Sequence, residues 1–297
     1  MIAARSVNKE RFYLCFVGLL SLLFPGPALT AAEIKPVTSV VPGRFAFSLD
    51  GNHFDEDDIG ALAMIGALSW AGGISDRVVH IDHSNNLGDN TPAQAHQMIE
   101  SAKGIVAHFN IKADIIFNDQ THLDQAQANF KIEAEKSTAA NPLWLVCAGP
   151  MEVPHRLLAG VNTDCHPYIH CVSHSKWNNT YKKPPSMTHT WATLKSLFPK
   201  VNFHRIKDQN GGRNNTGSDW ATELEKWFWL RDSLYQPYRW LYSRNQFTES
   251  HKHTRFDVSD AGMLYWLLSG GPKGGDAKAG VASAKALLEK ALTSVHR

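Results

Sequence analysis

The stretch Arg44-Phe45-Ala46-Phe47-Ser48-Leu49-Asp50-Gly51-Asn52-His53-Phe54-Asp55-Glu56-Asp57-Asp58 passes from an apolar run into acids, and Ile59-Gly60-Ala61-Leu62-Ala63-Met64 then opens a helical pattern. A strand that ends in polar residues and turns at once into a helix is the opening unit of a parallel α/β fold. The turn gathers five acidic side chains and an Asn. Carboxylates crowded in this way repel one another unless bound protons or a cation compensate. A hard divalent ion takes oxygen ligands of this kind. Helix capping and the helix dipole alone account for Glu56, Asp57 and Asp58 in a first turn. They do not account for Asp50 at the strand end, nor for Asp55.

Outward from this turn, apolar runs and helical patterns alternate. Strands are expected at 44–49, 77–81, 113–117, 143–147, 168–172 and 201–206, and helices at 57–70, 92–109, 123–135, 152–158 and 186–197. Residues 219–230 and 281–295 also carry helical patterns. Such alternation implies an α/β fold, a mostly parallel sheet with helices on both faces and a Rossmann-like core. Polar residues follow nearly every strand: Asp50 and Asn52; Asp82, His83, Asn85 and Asn86; Asn118 and Asp119; Ser173, His174, Trp177 and Asn178; Asp208, Gln209 and Asn210. In an open parallel sheet these loops share the edge at which ligands bind. Trp177, in such a loop, is the candidate for stacking on a sugar or base. The other Trp residues of the second half are expected in the core.

The ends and the composition bound the function. Residues 1–32 have the layout of a secretory signal: basic residues, an apolar run at 13–24, then Pro25-Gly26-Pro27 and small residues up to Ala32. The apolar run is much shorter than the roughly 20 residues of a spanning helix, so an exported protein without stable membrane insertion, periplasmic or secreted, is expected. Residues 33–43 read as a linker and 44–297 as one domain. Lys plus Arg number 30 against 28 Asp plus Glu, a net charge of +2 with no basic block, which argues against nucleic acid as a partner. Three cysteines follow the signal. Cys147 lies in an apolar run as a buried free thiol, whereas Cys165 and Cys171 are close enough in sequence to close a short loop. No Cys-x-x-Cys or His-Glu-x-x-His spacing supports zinc. A homo-oligomer is compatible with the sequence.

Three segments together resemble the nucleoside hydrolase superfamily. The first is the acidic loop: the family carries Asp-x-Asp-x-Gly-x-Asp-Asp before an Ala/Leu-rich helix, and Asp50 and Asp57-Asp58 match once one residue is inserted. The second, Asn141-Pro142-Leu143-Trp144-Leu145-Val146-Cys147-Ala148-Gly149-Pro150-Met151-Glu152, is similar to a family strand in which a backbone carbonyl before Gly binds calcium, here that of Ala148. The third, Val258-Ser259-Asp260-Ala261-Gly262-Met263-Leu264, resembles the family's His-Asp-Ala segment, whose Asp is a further calcium ligand, here Asp260. The resemblance implies Ca2+ held by Asp50, Asp58, Asp260 and the Ala148 carbonyl. It also implies a hydrolase of N-glycosidic bonds in ribonucleosides or other small furanosyl compounds, with Asp57 on a ribose hydroxyl.

The chain departs from the family pattern at three points. Asn52 stands where the family has its general base, and Asp55, extra in this loop, is the candidate substitute. Ser259 stands where part of the family has its leaving-group acid; His174, His251 and His253 are the candidates for that role. The family's ribose-binding Asn-and-Glu segment has no clear counterpart, and Asp208-Gln209-Asn210 or Ser173-His174-Ser175-Lys176-Trp177-Asn178 is the candidate to replace it. Two alternatives follow: a non-catalytic sugar- or nucleoside-binding protein of the same fold, and a same-fold hydrolase of another glycan derivative.

Overall fold

Strand β1 (Arg44–Leu49) turns Phe45, Phe47 and Leu49 to one face and Ala46 to the other, and β4 (Leu143–Ala148) divides Trp144, Val146 and Ala148 from Leu143, Leu145 and Cys147. Side chains that alternate with period two, apolar on both faces, require a covered sheet. In the computed structural model, which describes residues 40–88, 91–211, 217–246 and 255–295, that sheet has six parallel strands in the order β3-β2-β1-β4-β5-β6. The others are β2 (Val78–His83), β3 (Ile116–Asn118), β5 (Ile169–Ser173) and β6 (Asn202–Arg205). This is the expected α/β, Rossmann-like architecture.

Helices α1 (Glu56–Ala71) and α2 (His96–Phe109) pack on one face. Helices α3 (Asp119–Ala134), α4 (Glu152–Ala159) and, after the short α5 (Lys176–Thr180), α6 (Trp191–Leu197) serve the other. Among the described residues, further helices are α7 (Phe228–Arg231), α8 (Gln236–Arg244), α9 (Gly262–Leu268) and α10 (Val281–Val295). Helix α1 is buried nearly all round because α2, α8 and α10 close over it. Among the described residues, no helix is long and apolar enough to cross a membrane.

Several boundaries differ from the sequence reading for one shared reason. Before β2, β3 and β5 the chain makes a 3-10 turn (Ser75–Arg77, Ala113–Ile115, His166–Tyr168), so each strand starts later than its apolar run. The expected helix at 219–230 is replaced by a strand, β7 (Ala221–Glu223), paired antiparallel with β8 (Arg255–Asp257), and then a 3-10 turn and α7. Pairing with a distant segment overrides the local helical pattern there. The helix expected from Ser186 begins only at Trp191, capped by Thr190, whose Oγ1 accepts the Thr193 N–H. Cys165 and Cys171 are not bridged. Strand alternation points Cys171 into the same core as Cys147, while the Cys165 thiol meets the Glu135 carbonyl. The expected signal segment, most of the linker, His251 and His253 lie outside the described residues.

Candidate metal centre

The strand order reverses between β1 and β4, which places the residues after these two strands at the point where open α/β sheets bind ligands. Asp50 leaves β1 there. Its N–H continues the ladder to the Ala148 carbonyl at 3.0 Å, and Gly51 adopts φ +76°, a left-handed turn that suits glycine. The chain then reaches Asp55, the N-cap of α1, whose Oδ1 accepts the Asp57 N–H at 3.2 Å. Asp58, in the first turn of α1, accepts a short hydrogen bond from the Asn52 N–H, which folds the turn back on itself. Across the edge, a 3-10 turn (Ser259–Ala261) delivers Asp260.

The outcome is three buried carboxylates in one place. One oxygen from each of Asp50, Asp58 and Asp260 lies within 4.8 Å of the other two, and none of the three residues is more than 4% exposed. Among the described residues no Lys or Arg pairs with any of them. Burial, then the charge of Asp260, raises the Asp50 pKa to about 8. Burial, then the charges of Asp50 and Asp55, raises Asp58. A proton shared between Asp50 and Asp58 is one remedy for this repulsion; a cation is the other. The donors are all hard oxygens, a set that fits a divalent ion of the calcium or magnesium type and not a soft metal.

Ten residues expected at the site line one cavity of about 550 Å3: Asp50, Asn52, Asp55, Asp57, Asp58, Trp177, Asn178, Asp208, Asn210 and Asp260. Ser175 and Lys176, from the candidate segment 173–178, and Thr180, not expected there, complete it. Trp177 is 43% exposed and stacks on Tyr181 with ring centres 4.2 Å apart.

The structure reassigns several of the expected residues. Asp57, expected on a substrate hydroxyl, already accepts from Ser259 Oγ (2.7 Å) and from the Asp260 N–H (3.1 Å), so it braces α1 against the turn that carries Asp260. Ser259 thereby serves Asp57. The Ala148 carbonyl, expected as a fourth ligand, is engaged by Asp50 and does not line the cavity. Asn52 Oδ1 accepts from Asn86 Nδ2 at 2.7 Å, which fixes its amide. His174, expected as a leaving-group acid, is fully buried and also does not line the cavity. Its Nε2 lies 2.6 Å from Asp260 Oδ1 and its Nδ1 3.5 Å from Asp208 Oδ1. Burial alone would lower its pKa; hydrogen bonds to Asp208 and Asp260 outweigh burial and raise it to about 9. The Gln209 N–H also lies 3.1 Å from Nδ1, a contact that only the neutral ring accepts. A cation on Asp260 weakens the pull of that carboxylate. His174 is therefore a positioning residue for Asp260.

Groups that orient ligating side chains are typically worth 10- to 100-fold in metal affinity. His174→Phe should therefore weaken divalent-ion binding at the acidic centre by roughly that factor. Calorimetric titration measures it, and wild-type affinity in the variant would remove His174 from this role.

The comparisons add a relative and no family. The chain is 26% identical to "Uncharacterized protein P22" of Formosa agariphila over 271 residues, which cover 87% of this chain and 95% of that protein. No protein-family model and no solved structure matches the chain.

Proposed function

We propose that the chain is a divalent-cation-dependent hydrolase of glycosidic bonds, with calcium as the ion and a ribonucleoside or other small furanosyl compound as substrate. The observation that carries this reading is the convergence of Asp50, Asp58 and Asp260 at the floor of a polar cavity on the ligand-binding edge of the sheet. Asp50, Asp58 and Asp260 would hold the ion, which when bound lowers the pKa of water and neutralises the acidic floor. The chain's own groups do the rest. Asp55, at the cavity wall and partly open, is placed to accept a proton. Asp208, Asn210 and Asn178 offer acceptors and donors to sugar hydroxyls, and Trp177 offers a ring face to a base or sugar. The anionic surroundings favour the positive charge that develops on a sugar ring as its glycosidic bond breaks.

The test is a panel of nucleosides incubated with calcium or with excess chelator, with free base quantified by chromatography. Base release that stops in chelator and returns with calcium is the expected result; equal release in both conditions overturns it. One observation favours a second reading. The amide of Asn52, which takes no proton at neutral pH, occupies the family base's position and is tied to Asn86. A binding protein that kept the metal and lost the chemistry would bind a nucleoside saturably in the same panel and release no base.

A further inference from the structure

Outside the acidic cavity, one cluster joins a carboxylate to two imidazoles. Glu152 and His155 are three residues apart on α4 and so share one of its faces. The segment before α6 lays His189 against that face, 37 positions from Glu152 in sequence. One ligand-capable atom from each of Glu152, His155 and His189 lies within 4.8 Å of the other two. The rings of His155 and His189 stack 3.5 Å apart with only 6° between their planes.

The surroundings hold the carboxylate still. Glu152 Oε1 accepts from Arg156 Nε (3.1 Å), while Oε2 accepts from the Thr188 N–H (2.9 Å) and from His189 Nδ1 (2.7 Å). His155 Nδ1 is buried, and no hydrogen bond engages it. A buried ring nitrogen without a partner is a ligand atom in waiting or a cost to the fold. Two imidazoles and one carboxylate are a borderline donor set, suited to zinc and its neighbours and unlike the all-oxygen cluster at Asp50.

We propose that Glu152, His155 and His189 form a second metal site, selective for a borderline transition ion such as Zn2+. The ion takes the place of the hydrogen shared between His189 Nδ1 and Glu152 Oε2. That ring keeps one N–H by shifting it to Nε2, on a side chain 24% exposed, so His189 stays neutral. Lone pairs lie in the ring planes, and binding opens the angle between the stacked rings so that they converge on one ion. Three protein ligands leave the fourth position to solvent. Arg156 and the Thr188 backbone are the outer partners that orient the carboxylate. The site would staple the segment before α6 to α4. No short metal-binding spacing announces it because one ligand comes from a distant segment.

Cobalt(II) titration of the metal-stripped full-length chain tests this. Four-coordinate cobalt with nitrogen ligands has intense visible d–d bands, which cobalt on carboxylates and water lacks. The bands are expected in the wild type and in Asp58→Asn, with one equivalent bound in the variant and bleaching on addition of zinc. They should vanish in His189→Ala and in His155→Phe, the latter keeping a ring in the stack and hence the fold. Absence of the bands in the wild type, or their persistence in His155→Phe, overturns the assignment.

Discussion

Asp58→Asn should make the metal-free protein more stable and abolish its response to calcium. The two effects have one cause. Without a cation, Asp58 is a buried carboxyl group whose pKa is raised by burial and by Asp50 and Asp55, and an amide removes that repulsion while keeping an oxygen to accept the Asn52 N–H. If the wild type binds calcium as proposed, the ion at 100 times its dissociation constant should add about 2.7 kcal/mol to the stability. The variant, which lacks one of three ligands, should gain essentially none. Since a metal of this kind supplies several kcal/mol of transition-state stabilisation, any glycosidic-bond cleavage should fall by roughly 100-fold or more. Thermal unfolding in chelator and in calcium separates the outcomes. A variant less stable than wild type in chelator, or one still stabilised by calcium, would show that Asp58 is structural and not a ligand.

A second large effect concerns pH. The Asp50 carboxyl has its folded pKa raised to about 8 from an ordinary 3.8, chiefly by burial, and Asp57 and Asp58 are also raised. Between the two values the native state holds a proton that the unfolded chain has released. Stability contributed in this way is complete below the unfolded pKa and declines as pH rises through the window from about 4 to 8. The slope is about 1.4 kcal/mol per pH unit for each proton retained. In chelator, stability should therefore fall across that range, and His174, raised to about 9, carries the decline further. With saturating calcium the ion replaces the proton, and the decline should flatten. Denaturant melts at several pH values, with and without calcium, give the measurement. A flat profile in chelator would mean that the three carboxylates are not crowded as the fold places them.

Much of this was legible in the sequence where the signal is local. The alternation in β1 and β4 reports a sheet covered on both sides, and the acids after β1 mark the site without reference to any other protein. Asp260 was legible only through resemblance, because its partners lie about 200 positions away, as its N–H bond to Asp57 shows. Thr180 was not legible because α5 is five residues long, too short for a periodic pattern. The internal contacts of Asp57 and His174 were not legible for a different reason. Sequence places both near the site, but only the fold shows their bonds to Ser259, Gln209 and Asp260. The strand pair β7–β8 was hidden by a helical pattern around Trp220 and Trp227, whose burial comes from tertiary contacts.

The most direct test of the central claim is the anomalous difference map of a crystal soaked in calcium at neutral pH. One peak in contact with Asp50, Asp58 and Asp260 together is the predicted result. A map with no peak among those three side chains, in crystals that bind calcium elsewhere or not at all, would contradict it.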